Sequence, residues 1–419
     1  MNSKKDELYL LHSEILIILR AEQFIKEFKI KYSVPPVYGN QTPLFIKIRE
    51  ESLKKIMKYE IVEDINPPNK LIVFSIKTME KNEEMTLHFD FLVIIKNKKY
   101  QDLPKNVEIA CKSDLPENTK IWLESTEAVQ SENILIRIKA KFLRGLSNNF
   151  LVVLKRIIFY TPFHRILLQQ VRMFLEKNSF FRSFFLPRKY WTGLCDAISY
   201  FIFGGHCAGQ ANFATSLLRA IGIPTKILIV REFGLHLYKE EKEWFDSQHY
   251  LIESYCPDYG WITCTPGQVG RQPKNYIITR VVYPDDENIA GNGLSYYGGM
   301  EPWFWIDNSS ISLVFPEKYI NFCKKPIGKV SGVPIDRLMT EKKLFVNQVI
   351  SKKIFYLAFI SWNLFTINVE KHLKENNNYF KKALEMHQDA VDCFINADIK
   401  KFISKLNNAI KIYKKIKPN

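Results

Sequence analysis

The tightest constraint on this chain is a run of small residues at helical spacing, entered through two glycines and closed by Gly-x-Pro. From Gly204 to Pro224 the sequence reads GGHCAGQANFATSLLRAIGIP. Cys207, Ala211, Ala214, Leu218 and Ile221 recur every three or four positions, which is one face of a helix, and a narrow one near its start. Gly222 stops that helix and Pro224 prevents its resumption. Cys207 is therefore predicted at the first turn of a buried helix. There the unpaired N–H groups and the helix dipole lower a thiol's pKa and can hold a developing oxyanion. Taken alone, a cysteine at a helix start is more often a small core residue.

A second segment changes that balance. Gln248 to Tyr255 alternates like a strand, Pro257-Asp258-Tyr259-Gly260 reads as a turn, and Trp261 to Thr265 as the returning strand. Pairing Ser254 with Gly260 would place His249 directly opposite Thr265, about 5 Å away on the same face. Taken alone, a histidine on a strand is usually structural.

Together the two segments read G-x-C-x-x-x-A with Arg219 and Gly222-Ile223-Pro224, then H-x-x-x-E-x-Y-x-P with Tyr259-Gly260-Trp261. This resembles the core of the transglutaminase-like superfamily, over roughly residues 195–267. The resemblance implies a papain-like fold and a Cys-His-Asp triad, with Cys207 as nucleophile and His249 as base. Glu253 and Tyr255 match positions that support the histidine strand, and Arg219 and Gly222 match positions behind the cysteine. The position of the triad aspartate is occupied by Thr265, followed by Pro266. A neutral hydroxyl can fix a tautomer but cannot stabilise imidazolium by charge. His206, Trp191 and Asp246 are further polar or aromatic candidates. The implied chemistry is thiol acyl transfer on protein or peptide amide bonds through a thioester, by a thiol amidase, a protease or a protein-glutamine acyltransferase. The alternative is a catalytically impaired interaction module on the same fold. No cofactor is implied, and Cys256 and Cys264 lack the companions of a metal site.

The expected fold class is α+β, a papain-like transglutaminase core between a β-rich N-terminal module and a helical C-terminal one. The expected divisions are a helix over 1–30, a β-sandwich-like module over 31–130, a helical lead-in and the core over 131–330, and a helical module over 331–419. Leu8, Leu11, Ile15 and Leu19 suggest the first helix. Residues 131–147 alternate apolar and basic but precede a helical stretch, which leaves them open. Leu344–Leu373, Tyr379–Asn396 and a third stretch capped by Asp398 read as C-terminal helices.

The net charge of +16 could attract anions, but the excess is mostly lysine scattered among Ile and Asn, so no nucleic acid is predicted as partner. The last helix carries seven lysines after Asp398 and no acid, a solvated face or a contact for an acidic partner or an anionic membrane. Seven cysteines without framework spacing suit reduced thiols and a cytoplasmic setting. No transmembrane segment is expected, since the longest uncharged run falls short of a span.

Overall fold

The structure is a computed structural model. It describes residues 5–97, 103, 105–176, 196–205, 207–232, 248–270, 276–291, 304–307, 311–313, 335–372 and 378–416. Six strands come first: β1 (Lys5–Ala21), β2 (Phe28–Val34), β3 (Gln41–Ile48), β4 (Ile56–Glu63), β5 (Lys70–Ile76) and β6 (Glu84–Lys96). Helices α1 (Ile134–Arg144), α2 (Phe150–Glu176), α3 (Ala197–Phe203) and α4 (Cys207–Arg219) follow. Next are β7 (Thr225–Glu232), β8 (Gln248–Cys256), β9 (Gly260–Thr265), β10 (Gln268–Val269), β11 (Tyr276–Val282) and α5 (Pro284–Gly291). Strands β12 (Phe304–Ile306), β13 (Ile311–Leu313) and β14 (Ile335–Asn347) precede α6 (Gln348–His372), α7 (Asn378–Ile395) and α8 (Ile399–Tyr413).

Residues 5–21 and 28–30 are strand, not the helix that the spacing suggested over 1–30. Strand β1 lies between β6 on one side and β14 and β13 on the other. It is covered on both faces: Leu8, Leu10, Leu11, Ile15 and Ile17 are all buried. A strand buried on both faces loses its period-two alternation, so a helical subset of its apolar residues can be picked out by eye. A second sheet, β12-β2-β5-β4, faces the first. Tyr32 and Phe74 from it pack on Phe89, with ring centroids 5.4 and 5.3 Å apart. The sandwich thus draws strands from both ends of the chain, with the core inserted between them.

Residues 134–144, left open by their alternation, are helical. The Asn133 side chain accepts from Leu135 N, and Gly145 ends the helix. The C-terminal module begins as a strand, because Leu344–Asn347 still pair with β1. From Gln348 it is helical, and Asp398 caps α8 by accepting from Lys401 N. No helix among the described residues is long and apolar enough to cross a membrane.

Candidate active site

Helix α4 begins at Cys207 and is buried from Ala208 to Arg219. Two devices hold its far end. Gly222 takes φ +87°, which a residue with a Cβ rarely adopts. The Arg219 guanidinium donates to Thr225 O at 2.9 and 2.8 Å and pairs with Glu287 at 2.5 Å, with both side chains fully buried. Cys207 is half-buried and opens into a small cavity of ≈ 20 Å³ between α2, α4 and the third sheet. That is room for about one water. Ile158 and Thr161 wall it from α2, Gln210 and Ala211 from α4, and Tyr250, Cys264 and Thr265 from the sheet.

Gln210 was not singled out from the sequence, although its position three residues after Cys207 puts it on the same face of the helix. It is 5% exposed, and its Nε2 has no hydrogen-bond partner among the described residues. An unpaired buried donor costs roughly 1–3 kcal/mol. This one lies in the wall of the cavity that holds the thiol.

The third sheet has the order β10-β9-β8-β7-β11. Its helix-facing side buries Ile227, Ile229, Tyr250, Ile252, Ile262 and Cys264 in the main core. The other side forms a separate cluster with Leu228, Val230, Leu251 and Ile278. His249 pairs with Val230 and Tyr250 with Ile229, so alternation turns His249 toward the second side. Its half-buried ring stacks beside Tyr276 with centroids 6.1 Å apart. His249 is not among the residues that wall the Cys207 cavity.

The hairpin register also differs from the expected one. Cys256 pairs with Gly260 and Ile252 with Cys264, two positions away from a Ser254–Gly260 pairing. The loop is the three residues Pro257–Tyr259, with Asp258 at φ +58° and Gly260 at φ +93°. The β8–β9 ladder ends at the Ile252–Cys264 pair, short of Thr265. After Thr265 the chain turns through Pro266 and Gly267, and Gln268 pairs back with Thr265.

On the second side Glu253 accepts from Tyr38 at 2.5 Å and Thr263 at 3.0 Å, and pairs with Lys226 at 3.3 Å. Lys226 Nζ lies 3.8 Å from the Trp261 ring centroid, and burial lowers its pKa. Trp261 in turn meets Tyr255 edge-on. These residues fasten the hairpin to the N-terminal sandwich. Burial pushes the Cys264 thiol far above its ordinary range and that of Cys256 to about 11, so neither supplies thiolate near neutrality. Trp191, His206 and Asp246 lie outside the described residues.

A polar cluster that the sequence did not advertise sits in the sandwich. His12, Glu14 and Asp90 place donor atoms within 4.8 Å of one another, all buried. Arg49 Nε meets Asp90 at 2.8 Å, and its Nη2 meets Glu14 at 3.3 Å. His12 Nε2 lies 3.2 Å from Asp90. The guanidinium already supplies the cation that two buried carboxylates require.

Residues 186–266 match the sequence model of the transglutaminase-like superfamily core. Two solved structures match the chain. One is a candidate cysteine protease from Cytophaga hutchinsonii, 11% identical, covering 81% of this chain and 98% of its own, with a TM-score of 0.47. The other is a candidate protease from Parabacteroides distasonis, 14% identical, covering 60% of this chain and 42% of its own, with a TM-score of 0.20. No curated protein sequence matches the chain.

Proposed function

We propose that the chain is a thiol acyl transferase or amide hydrolase of transglutaminase-like type, with Cys207 as nucleophile. The observation that carries this reading is a half-buried thiol at the first residue of a helix, opening into a cavity that also holds an unsatisfied amide donor. The thiolate attacks an amide carbonyl, and the C–N bond breaks as the amine leaves with a proton. The thioester left behind is resolved by water or a second amine. N–H groups of the first α4 turn and the Gln210 Nε2–H donate to the carbonyl oxygen as it becomes negative. His249 is the proposed base. Its neighbour Tyr250 walls the cavity, so the pairing requires β8 to turn at His249 out of strict alternation. Thr265 serves as a polar wall of the same cavity.

A second reading is favoured by the placement of His249 beside Tyr276: an interaction module that kept the fold without the triad. Two measurements separate them. Alkylation of Cys207 by iodoacetamide, followed against pH, should show thiolate well below pH 8.5, and His249→Ala should move that inflection upward by at least about one unit. Superimposable profiles at an ordinary thiol pKa sink the enzyme. Thr265→Asp then reports geometry by the sign of its effect. With imidazole between carboxylate and thiol, alkylation persists to lower pH. With the carboxylate facing the thiol directly, like charge raises the thiol pKa and alkylation slows.

A further inference from the structure

Between Ile134 and Gln170 the chain holds seven Lys or Arg residues and no Asp or Glu. The same two helices, α1 and α2, expose large apolar side chains, Ile138 59%, Phe142 75%, Phe159 56%, Phe163 59% and Ile166 52%, and Leu146 in the loop between them is 107% exposed. Two contacts tie the helices into one surface. Lys139 Nζ lies 5.1 Å from the Phe142 ring and 4.2 Å from the Tyr160 ring. Arg156 Nη1 donates to Arg144 O at 2.8 Å, bridging the end of α1 to the start of α2. Arg137, Lys141 and Lys155 are exposed around the apolar residues.

We propose that the α1–α2 face docks on an anionic phospholipid surface, with Phe142, Phe159 and Phe163 buried at the headgroup boundary and the cations on lipid phosphate and carboxylate. A solvated helix face does not combine several half-exposed phenylalanines with an unbroken run of one charge sign. That pairing of apolar stripe and basic flank is what an interfacial helix needs. The contrast lies in α8, which is equally lysine-rich. Its apolar residues Phe402, Leu406 and Ile410 are buried, and the residues it exposes are Lys400, Lys401, Ser404, Asn408 and Lys411. Neither α1 nor α2 spans a membrane, so the surface lies on the bilayer rather than in it. The inner side of α2, Ile158 and Thr161, walls the Cys207 cavity. Docking would hold that cavity about one helix diameter, roughly 10 Å, from the lipid. The proposal does not depend on the Cys207 chemistry.

The test is sedimentation of the full chain with vesicles of phosphatidylcholine alone or with about 30 mol % phosphatidylserine, at two salt concentrations. Binding to the anionic vesicles should exceed binding to the neutral ones by roughly tenfold or more, and should weaken with salt. The double variant Phe142→Ser/Phe163→Ser should lose roughly tenfold in partition while keeping the parent's thermal melting. Should that variant misfold, Lys141→Glu/Lys155→Glu asks the same question through charge alone. A Lys405→Glu change on α8 should alter binding less than twofold. Equal binding to both vesicles, no binding, or full binding by the folded phenylalanine variant overturns the proposal. Salt-sensitive binding to heparin that ignores the phenylalanines would mark a general polyanion surface and overturn it as well.

Discussion

The N-terminal sandwich meets the transglutaminase-like core through directed polar contacts and meets the C-terminal helices mainly through apolar ones. Toward the core, Gln41 exchanges two hydrogen bonds with the Ile278 backbone at 2.7 and 2.8 Å, and Asn69 does the same with Val281 at 2.8 Å. Arg280 is fully buried between Asp64 at 2.8 Å and Asp286 at 2.5 Å. Toward the helices, Phe45 meets Phe365 and His387 at 5.4 and 5.3 Å, and Trp362 is fully buried. Hydrogen bonds and ion pairs hold one relative orientation and are costly to break singly. Apolar packing is non-directional and roughly proportional to area. The first junction therefore fixes where the hairpin of His249 and Glu253 stands, while the second mainly covers a sheet face.

The largest break should come from Arg280→Met. It strands two buried carboxylates and should cost about 3–5 kcal/mol in denaturant unfolding. A loss below about 1 kcal/mol would show that water already reaches the junction. The apolar junction should instead respond to acid. Burial pushes His387 down to about 3 from an ordinary 6.5. Above pH 6.5 both folded and unfolded states keep it neutral. Below that, the unfolded chain takes up a proton that the folded chain refuses, so stability falls with pH. Between pH 6.5 and 4 this amounts to about 3 kcal/mol. Comparing His387→Leu with the parent over that range should show a flatter stability curve, and parallel curves would place His387 in contact with water. Gln41→Ala leaves Ile278's backbone groups unpaired and should cost about 2 kcal/mol, measured by chemical denaturation. Lys405→Ala, which removes an exposed pair with Asp389, should leave the melting temperature unchanged. A clear drop there would mean that surface charge matters more at the helical end than at the core.

The sequence spoke most clearly where one local cause dominated. Gly222 and Pro224 end α4 as expected, Asp398 starts α8, and the hairpin strands lie where alternation put them. It misled where the deciding partner was distant or the change was a matter of one or two residues. Strand β1 is a strand because residues 335–347 and 84–96 pair with it, and nothing within its own 17 residues says so. The hairpin register turned on backbone angles at Asp258 and Gly260, and a two-position shift was enough to move Thr265 away from its expected partner. Gln210 could have been found by asking which polar residue shares the helix face of Cys207.

Because β1 has one of its two long partners in β14, the order of synthesis has a cost. When β6 ends at Lys96, one edge of β1 is paired and the other still waits for Ile335 to Asn347. At about 5–20 residues per second, ribosomes need roughly 10–50 s to make the intervening chain. During that interval a long apolar strand edge stands open, the kind of template that recruits other chains. Nascent chains halted before Ile335 should be cut within β1 by a protease that spares the released protein. The core is thus made while the sheet that braces it is still incomplete.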